Sequence, residues 1–180
     1  TGTGNYTGTV TRTYQILPAP LTVTAGSHEF TYNGQAQTWD QWSITSGKLY
    51  GGDAIDATVT GSITNVSESP VTNKLEKVEF TSGLESNYAV TPVDGSLTMV
   101  ADSIEDEEAF EVSQPENVYY NGGDQTWEPT VTSGDKQLGE GDYEVAYSTE
   151  DRTNVTGAIT VTITGTGNYT GTVTRTYQIL

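Results

Sequence analysis

Residues 158–180 read AITVTITGTGNYTGTVTRTYQIL, and their alternation decides the fold class. Ile159, Val161 and Ile163 point one way, while Ala158, Thr160, Thr162 and Thr164 point the other. A period of two is the mark of a strand with one face buried and one face in water. The segment GTGNYTG then turns the chain, and TVTRTYQI runs back with Val173, Tyr177 and Ile179 on one face. Arg175 falls on that same apolar face, where a sheet edge would bury its stem and leave its head in water.

The last 17 residues of this stretch, 164–180, repeat residues 1–17 without a single difference. The offset of 163 residues equals the length from Pro18 to Leu180, so the chain reads as one full period preceded by the tail of another. Identity at this level implies recent tandem duplication and a long parent array. The copy at 1–17 is expected to form the same strand, carrying Val10, Tyr14 and Ile16. It should stay ordered by pairing with a sheet edge of its own chain or of a neighbouring molecule.

A fainter repeat lies inside the period: FTYNGQAQTW at 30–39 matches VYYNGGDQTW at 118–127. Asn87-Tyr88 and Asn168-Tyr169 likewise open the closing strands of the two halves. The expected organisation is residues 1–17 as the C-terminal strand segment of a preceding repeat, a first β module at 18–101 and a second at 102–180. The boundary falls where ADSIEDEE turns the composition acidic.

Composition narrows the class further. The 180 residues include 32 threonines, 20 glycines, 11 tyrosines and 3 tryptophans, so strand formers and core bulk are both plentiful. No window carries apolar residues at helical spacing. A formal charge of -17, from 24 acidic against 7 basic side chains, excludes non-specific binding to nucleic acid or to an anionic membrane. Without cysteine there is no disulfide framework, thiolate nucleophile or zinc–thiolate site. No run of about 18 apolar residues offers a membrane span, and no signal peptide opens the sequence.

Strands are expected at LTVTA, EFTYN, WSIT, AIDATVTGSIT, LEKVEFTS, YAVTP and GSLTMV in the first module. In the second they fall at AFEVS, VYYN, EPTVT, DYEVAYS, AITVTIT and TVTRTYQI. Asn33-Gly34, Asn121-Gly122 and Asp94-Gly95 are turn dipeptides. Short strands between such turns predict an all-β chain of two small antiparallel, Ig-like β-sandwich modules. A β-grasp-like sheet would share many of these strands, but the sequence holds no segment for its helix.

The stretch from Tyr120 to Ile179 resembles a repeat common in bacterial surface proteins. The resemblance rests on Tyr120/Gly122, Gly141–Tyr147 and the closing Gly165–Gly171. FTYNGQ, ATVTGSITNV and NYAVTPVDGSLTM in the first module resemble the longer MBG/YDG-type repeats. The chain departs from the YDG pattern at Tyr32-Asn33-Gly34, where the family usually has aspartate. The likeness covers nearly the whole sequence. It implies a tandem β module from the stalk of a secreted or wall-anchored adhesin, extracellular, with neighbouring repeats of the same array as its partners.

The chemistry-bearing residues point away from catalysis. His28 is the only histidine, and no GxSxG elbow accompanies it. No carboxylate pair is singled out for glycoside cleavage. Asp102, Glu105, Asp106 and Glu108, with Glu107 and Glu111, form an acidic run suited in ligand type to calcium but lacking a DxDxDG-type spacing. Either they clamp a cation or they solvate a junction. Trp39 and Trp127 hold equivalent repeat positions, which suits shared core packing. Trp42 has no counterpart and is the expected exposed aromatic for stacking on a sugar.

Other features have plainer readings. The row Thr170, Thr172, Thr174 and Thr176 is the water-facing side of a strand rather than an ice-binding surface. Lys48, Lys74, Lys77 and Lys136 supply raw material for self-formed isopeptide bonds or are ordinary surface lysines. The sequons at Asn5, Asn65, Asn154 and Asn168 follow from the abundance of threonine. The sequence thus predicts a non-catalytic spacer that projects a distal binding region, with no required cofactor. Its alternative is an adhesive module that binds host glycan or mucin through exposed aromatics.

Overall fold

Alternating aliphatic and threonine residues pair into fifteen strands in a computed structural model that describes residues 1–180. They are β1 Ala19–Ala25, β2 His28–Thr31, β3 Trp42–Gly47, β4 Ala54–Thr60, β5 Val71–Ser82, β6 Tyr88–Val93, β7 Gly95–Val100 and β8 Asp102–Ser103. There follow β9 Glu111–Val112, β10 Val131–Ser133, β11 Lys136–Gln137, β12 Tyr143–Tyr147, β13 Ile159–Gly165, β14 Tyr169–Thr170 and β15 Thr172–Tyr177. The only helical turns are three-residue 3-10 segments at Val66–Glu68 and Glu85–Asn87. The chain is therefore all-β; the helix of a β-grasp sheet is absent, and no helix is long and apolar enough to cross a membrane.

Two compact units divide the residues, and both are built from discontinuous stretches. The first comprises Thr1–Gly26, Asp40–Val59 and Lys74–Gly95. Its central strand β1 runs antiparallel to β3, from Leu21 opposite Gly47 to Ala25 opposite Trp42. On its other edge β1 runs parallel to β6, from Ala19 opposite Tyr88 to Thr24 opposite Val93. Strand alternation turns Leu21, Val23 and Ala25 inward, where they meet Leu75 and Phe80 of β5 and Ile55 and Val59 of β4. Two layers thus share one core, as in a sandwich.

The second unit comprises Ser27–Trp39, Thr60–Asn73 and Ser96–Leu180. Here β13 lies between β12 and β15, antiparallel to both. Ile159, Val161 and Ile163 are fully buried, as their alternation predicts, and Val112 of β9 and Val131 of β10 face them across the core. A smaller cluster gathers Ile63, Leu97 and Met99 beside Trp39. Three strand pairs are parallel rather than antiparallel: β1–β6, β2–β7 and β8–β14. Each joins strands distant in sequence, since a parallel neighbour cannot be reached by a tight hairpin.

Two expected turns form alike. Asn33 Oδ1 accepts the Gln35 N–H at 2.9 Å, and Asn121 Oδ1 accepts the Gly123 N–H at the same distance, with Gly34 and Gly122 at φ 77° and 81°. The third dipeptide differs. Gly95 has no positive φ, but a Cβ there would lie 2.2 Å from the Gly26 carbonyl oxygen. It is glycine because backbone approaches it closely, while Asp94 Oδ1 accepts the Leu75 N–H. Among the expected strands, VYYN contributes only an isolated bridge at Val118, and the short β8, β11 and β14 escape the alternation reading.

The largest departure concerns residues 1–17, which form no strand. Tyr6, Tyr14 and Ile16 are 79%, 88% and 89% exposed, whereas Tyr169, Tyr177 and Ile179, at the same places in the identical string, are 6%, 2% and 0% exposed. The sequence is equal, so local propensity cannot be the cause. Residues 172–177 pair along β13, whereas 1–17 have local bonds alone: Gly2 N–H to the Gly8 carbonyl, a longer one from the Tyr6 N–H to the Thr3 carbonyl, and Arg12 to the Thr11 carbonyl. A strand without a partner leaves its backbone groups to water and gains nothing from extension.

Candidate functional site

Trp42 opens β3, where its backbone pairs with Ala25, and its indole packs against the core of the first unit. It is half-buried rather than exposed, because strand alternation puts it on the inward face with Ile44. One edge still faces a shallow groove lined by Asp40, Gln41, Asp56 and Thr58. Asp40 Oδ1 accepts from the Gln41 side-chain amide, and Asp56 Oδ1 from the Ala57 N–H. The groove offers acceptors for hydroxyl groups but little apolar area.

Three carboxylates of the acidic run accept backbone N–H groups. Asp102 is half-buried in β8, and its carboxylate accepts the Ser103 N–H. Burial raises its pKa above the usual aspartate value, partly offset by that hydrogen bond. Glu105 Oε1 accepts the Thr172 N–H at 2.7 Å, and Asp106 Oδ1 accepts the Glu108 N–H. Glu108 itself is exposed. These carboxylates cap turns around β8 and β15, and no group of three or more acidic or histidine side chains converges as a metal site.

His28 begins β2 and stacks on Trp39, with ring centroids 4.0 Å apart and planes 9° from parallel. Phe30 meets it edge-on, with centroids 4.5 Å apart. A histidine in contact with two aromatic rings is a packing group. The lysines are similarly engaged: Lys74 with Glu76, Lys77 with Glu79, Lys48 over the Tyr50 ring, and Lys136 donating to the Tyr169 hydroxyl. Arg175 sends Nη2 to the Val112 carbonyl at 3.2 Å, so its head is tied to backbone rather than free in water.

The second unit holds a cleft of about 560 Å³ that the sequence did not single out. Trp127 and Tyr177 give it an aromatic wall; Glu116, Asn121, Asp124 and Gln125 give it polar groups. The Tyr177 hydroxyl donates to the Gln125 carbonyl at 2.8 Å, and the Trp127 carbonyl accepts the Tyr147 hydroxyl at 2.7 Å. Burial pushes the Tyr147 pKa up to about 12. Tyr119 and Tyr120, adjoining Val118 and Asn121 of the wall, are both largely exposed. In the sequence its residues show only as the internal repeat VYYNGGDQTW at 118–127, which carries the Asn121-Gly122 turn and Trp127 but does not reveal a cleft.

Asn168 is a further residue whose role sequence reading missed. Its Oδ1 accepts the Val66 N–H at 2.8 Å, and its Nδ2 donates to Asn65 Oδ1 at 3.0 Å. Two sequon asparagines thereby clasp each other, which fixes the turn before β14. Trp39 and Trp127, equivalent in the internal repeat, both pack against buried clusters. No protein-family model matches the chain, and a search of curated proteins gives no match.

Proposed function

We propose that the chain is a non-catalytic spacer of a bacterial surface protein, one period of a tandem β array that projects a distal binding region. The observation that carries this reading is the exact identity of residues 1–17 with 164–180, which tandem duplication explains and a lone enzyme domain does not. The resemblance of Tyr120/Gly122, Gly141–Tyr147 and Gly165–Gly171 to surface-protein repeats supports the extracellular, wall-associated setting. Separate sandwich cores suit a part whose work is to span distance, and the net charge of -17 keeps neighbouring copies apart.

A second reading is an adhesive module for host glycan or mucin. It is favoured by the cleft at Trp127, with exposed Tyr119 and Tyr120 beside it, more than by half-buried Trp42. One experiment separates the two. Arrays of one, two and three 163-residue periods are measured by small-angle X-ray scattering, and each is presented to immobilised mucins and glycans. Length growing by a constant increment, without binding, is the spacer outcome. Saturable binding removed by Tyr119→Ala/Tyr120→Ala or by Trp42→Ala establishes adhesion instead.

A further inference from the structure

We propose that Tyr120, Asn154 and Val155 form the seat for the Asn87-Tyr88 turn of the following period, so that the joint between periods copies a joint found within one. This rests on the tandem-array reading and names the residues that hold neighbouring periods together. The joint within the period lies at Asn168-Tyr169. Asn168 Oδ1 accepts the Val66 N–H at 2.8 Å, and its Nδ2 donates to Asn65 Oδ1 at 3.0 Å. Beside them Tyr32 meets the Tyr169 ring edge-on, with centroids 5.4 Å apart.

Both halves of that joint recur. The match of 30–39 to 118–127 puts Tyr120 in the place of Tyr32, and their N–H groups donate at 2.9 Å to the Leu180 and Val100 carbonyls respectively. Thr64-Asn65-Val66 returns as Thr153-Asn154-Val155. The residue before each string, Ile63 or Arg152, accepts the N–H of the equivalent Gln37 or Gln125. Asn65 gives its Nδ2 to Glu68 and Asn154 gives its own to Asp151, which leaves Oδ1 as the acceptor in both. On the other side of the joint, Tyr88 pairs with Ala19 in parallel strands as Tyr169 pairs with Asp102.

The connections are equal too. Ala101 alone separates Val100 from Asp102, and Pro18 alone separates Ala19 from Leu17, the copy of Leu180. Equal registers joined by equal connections set each module against the next in the same way. Tyr120 and Val155 are 56% and 65% exposed, whereas Tyr32 and Val66 are half-buried. Asn87 is exposed where Asn168 is half-buried and bonded twice. Seating the turn covers these apolar groups and supplies the missing amide partners. Tyr119 lies outside the seat, since its counterpart Thr31 is exposed.

The test extends the full chain by a second copy of residues 18–180, maps tyrosine nitration by peptide mass spectrometry and follows length by small-angle X-ray scattering. Tyr120 nitration per copy should fall by about half relative to the single chain, because the tether keeps the first copy's seat filled. Tyr119 should react equally in both. Val155→Asp in the first copy combined with Asn87→Ala in the second, both at exposed positions, should restore full Tyr120 nitration. Unchanged Tyr120 nitration in a chain that lengthens by one period overturns the joint and leaves the array reading standing. A fall that the two substitutions do not reverse also overturns it. A chain that does not lengthen overturns both.

Discussion

Tyr14 and Tyr177 occupy the same place in two identical 17-residue strings, yet Tyr14 is 88% exposed and Tyr177 is 2% exposed. Tyr177 ends β15 opposite Ile159 and donates its hydroxyl to the Gln125 carbonyl. Tyr14 has neither a strand partner nor burial. The pair is an internal control in which sequence is constant and only the surroundings differ.

Tyr177→Ala should therefore destabilise the chain by about 3–5 kcal/mol, the range for truncating a buried aromatic. The same change at Tyr14 should stay within about 0.5 kcal/mol, as for surface sites generally. Urea unfolding of both variants measures this directly. Equal effects at the two positions would mean that residues 1–17 are packed in solution.

Gly95→Ala should cost about 1–3 kcal/mol, the usual penalty of overpacking. The new methyl would lie 2.2 Å from the Gly26 carbonyl oxygen and 2.6 Å from that of Ala25, and backbone yields less readily than a side-chain tip. A thermal melt unchanged from the parent would show that β1 and β7 do not approach so closely.

Asn33→Ala and Asn121→Ala should each lose about 1 kcal/mol, since each removes one side-chain-to-backbone hydrogen bond that fixes a turn. The loss at Asn33 should be the larger, because Asn33 Oδ1 also accepts the Gln37 side-chain amide at 2.9 Å, whereas the Gln125 amide donates to the Tyr119 carbonyl instead of Asn121. Chemical denaturation of the single variants decides it, and a loss at only one site would break the equivalence of the internal repeat.

The folded state should resist alkali until the buried tyrosines ionise. Burial raises the Tyr147 pKa to about 12 from an unfolded value near 10. A raised pKa contributes stability that is fully present below the unfolded value and is lost as pH rises through the folded one. Stability should thus fall between about pH 10 and pH 12. Tyrosinate absorbance followed with Tyr147→Phe as control identifies the late component; identical titrations would reject the assignment.

Calcium at millimolar concentration should leave the melting temperature unchanged. The Glu105 and Asp106 carboxylates already accept backbone N–H groups, and no acidic cluster converges. A rise abolished by chelator, and by Asp102→Asn or Glu105→Gln, would show that ligands assemble around the ion.

Much of the fold was legible where a residue's fate depends on its near neighbours in sequence. Ile159, Val161 and Ile163 point inward because alternation along a strand is a property of the backbone alone. The Asn33-Gly34 and Asn121-Gly122 turns form because asparagine bonds the chain two residues on and glycine tolerates positive φ. Less of the candidate sites was visible. Trp42 looked unpaired because it lacks a repeat counterpart, but burial depends on which layer covers β3. The acidic run stays open in the sequence between a cation clamp and a solvated junction, because sequence shows charges and not the N–H groups that Asp102, Glu105 and Asp106 meet.

Legible in the letters alone were the all-β class, the inward faces of 159–163 and 173–179, the turns at Asn33-Gly34 and Asn121-Gly122, and the duplication of 17 residues. Only the tertiary structure decided which copy of that duplicate becomes a strand. Backbone hydrogen bonds in a sheet join residues far apart along the chain, so a strand exists only where another supplies its partners. Residues 164–180 have β8, β13 and Val118 to complete them, and residues 1–17, identical in every side chain, do not.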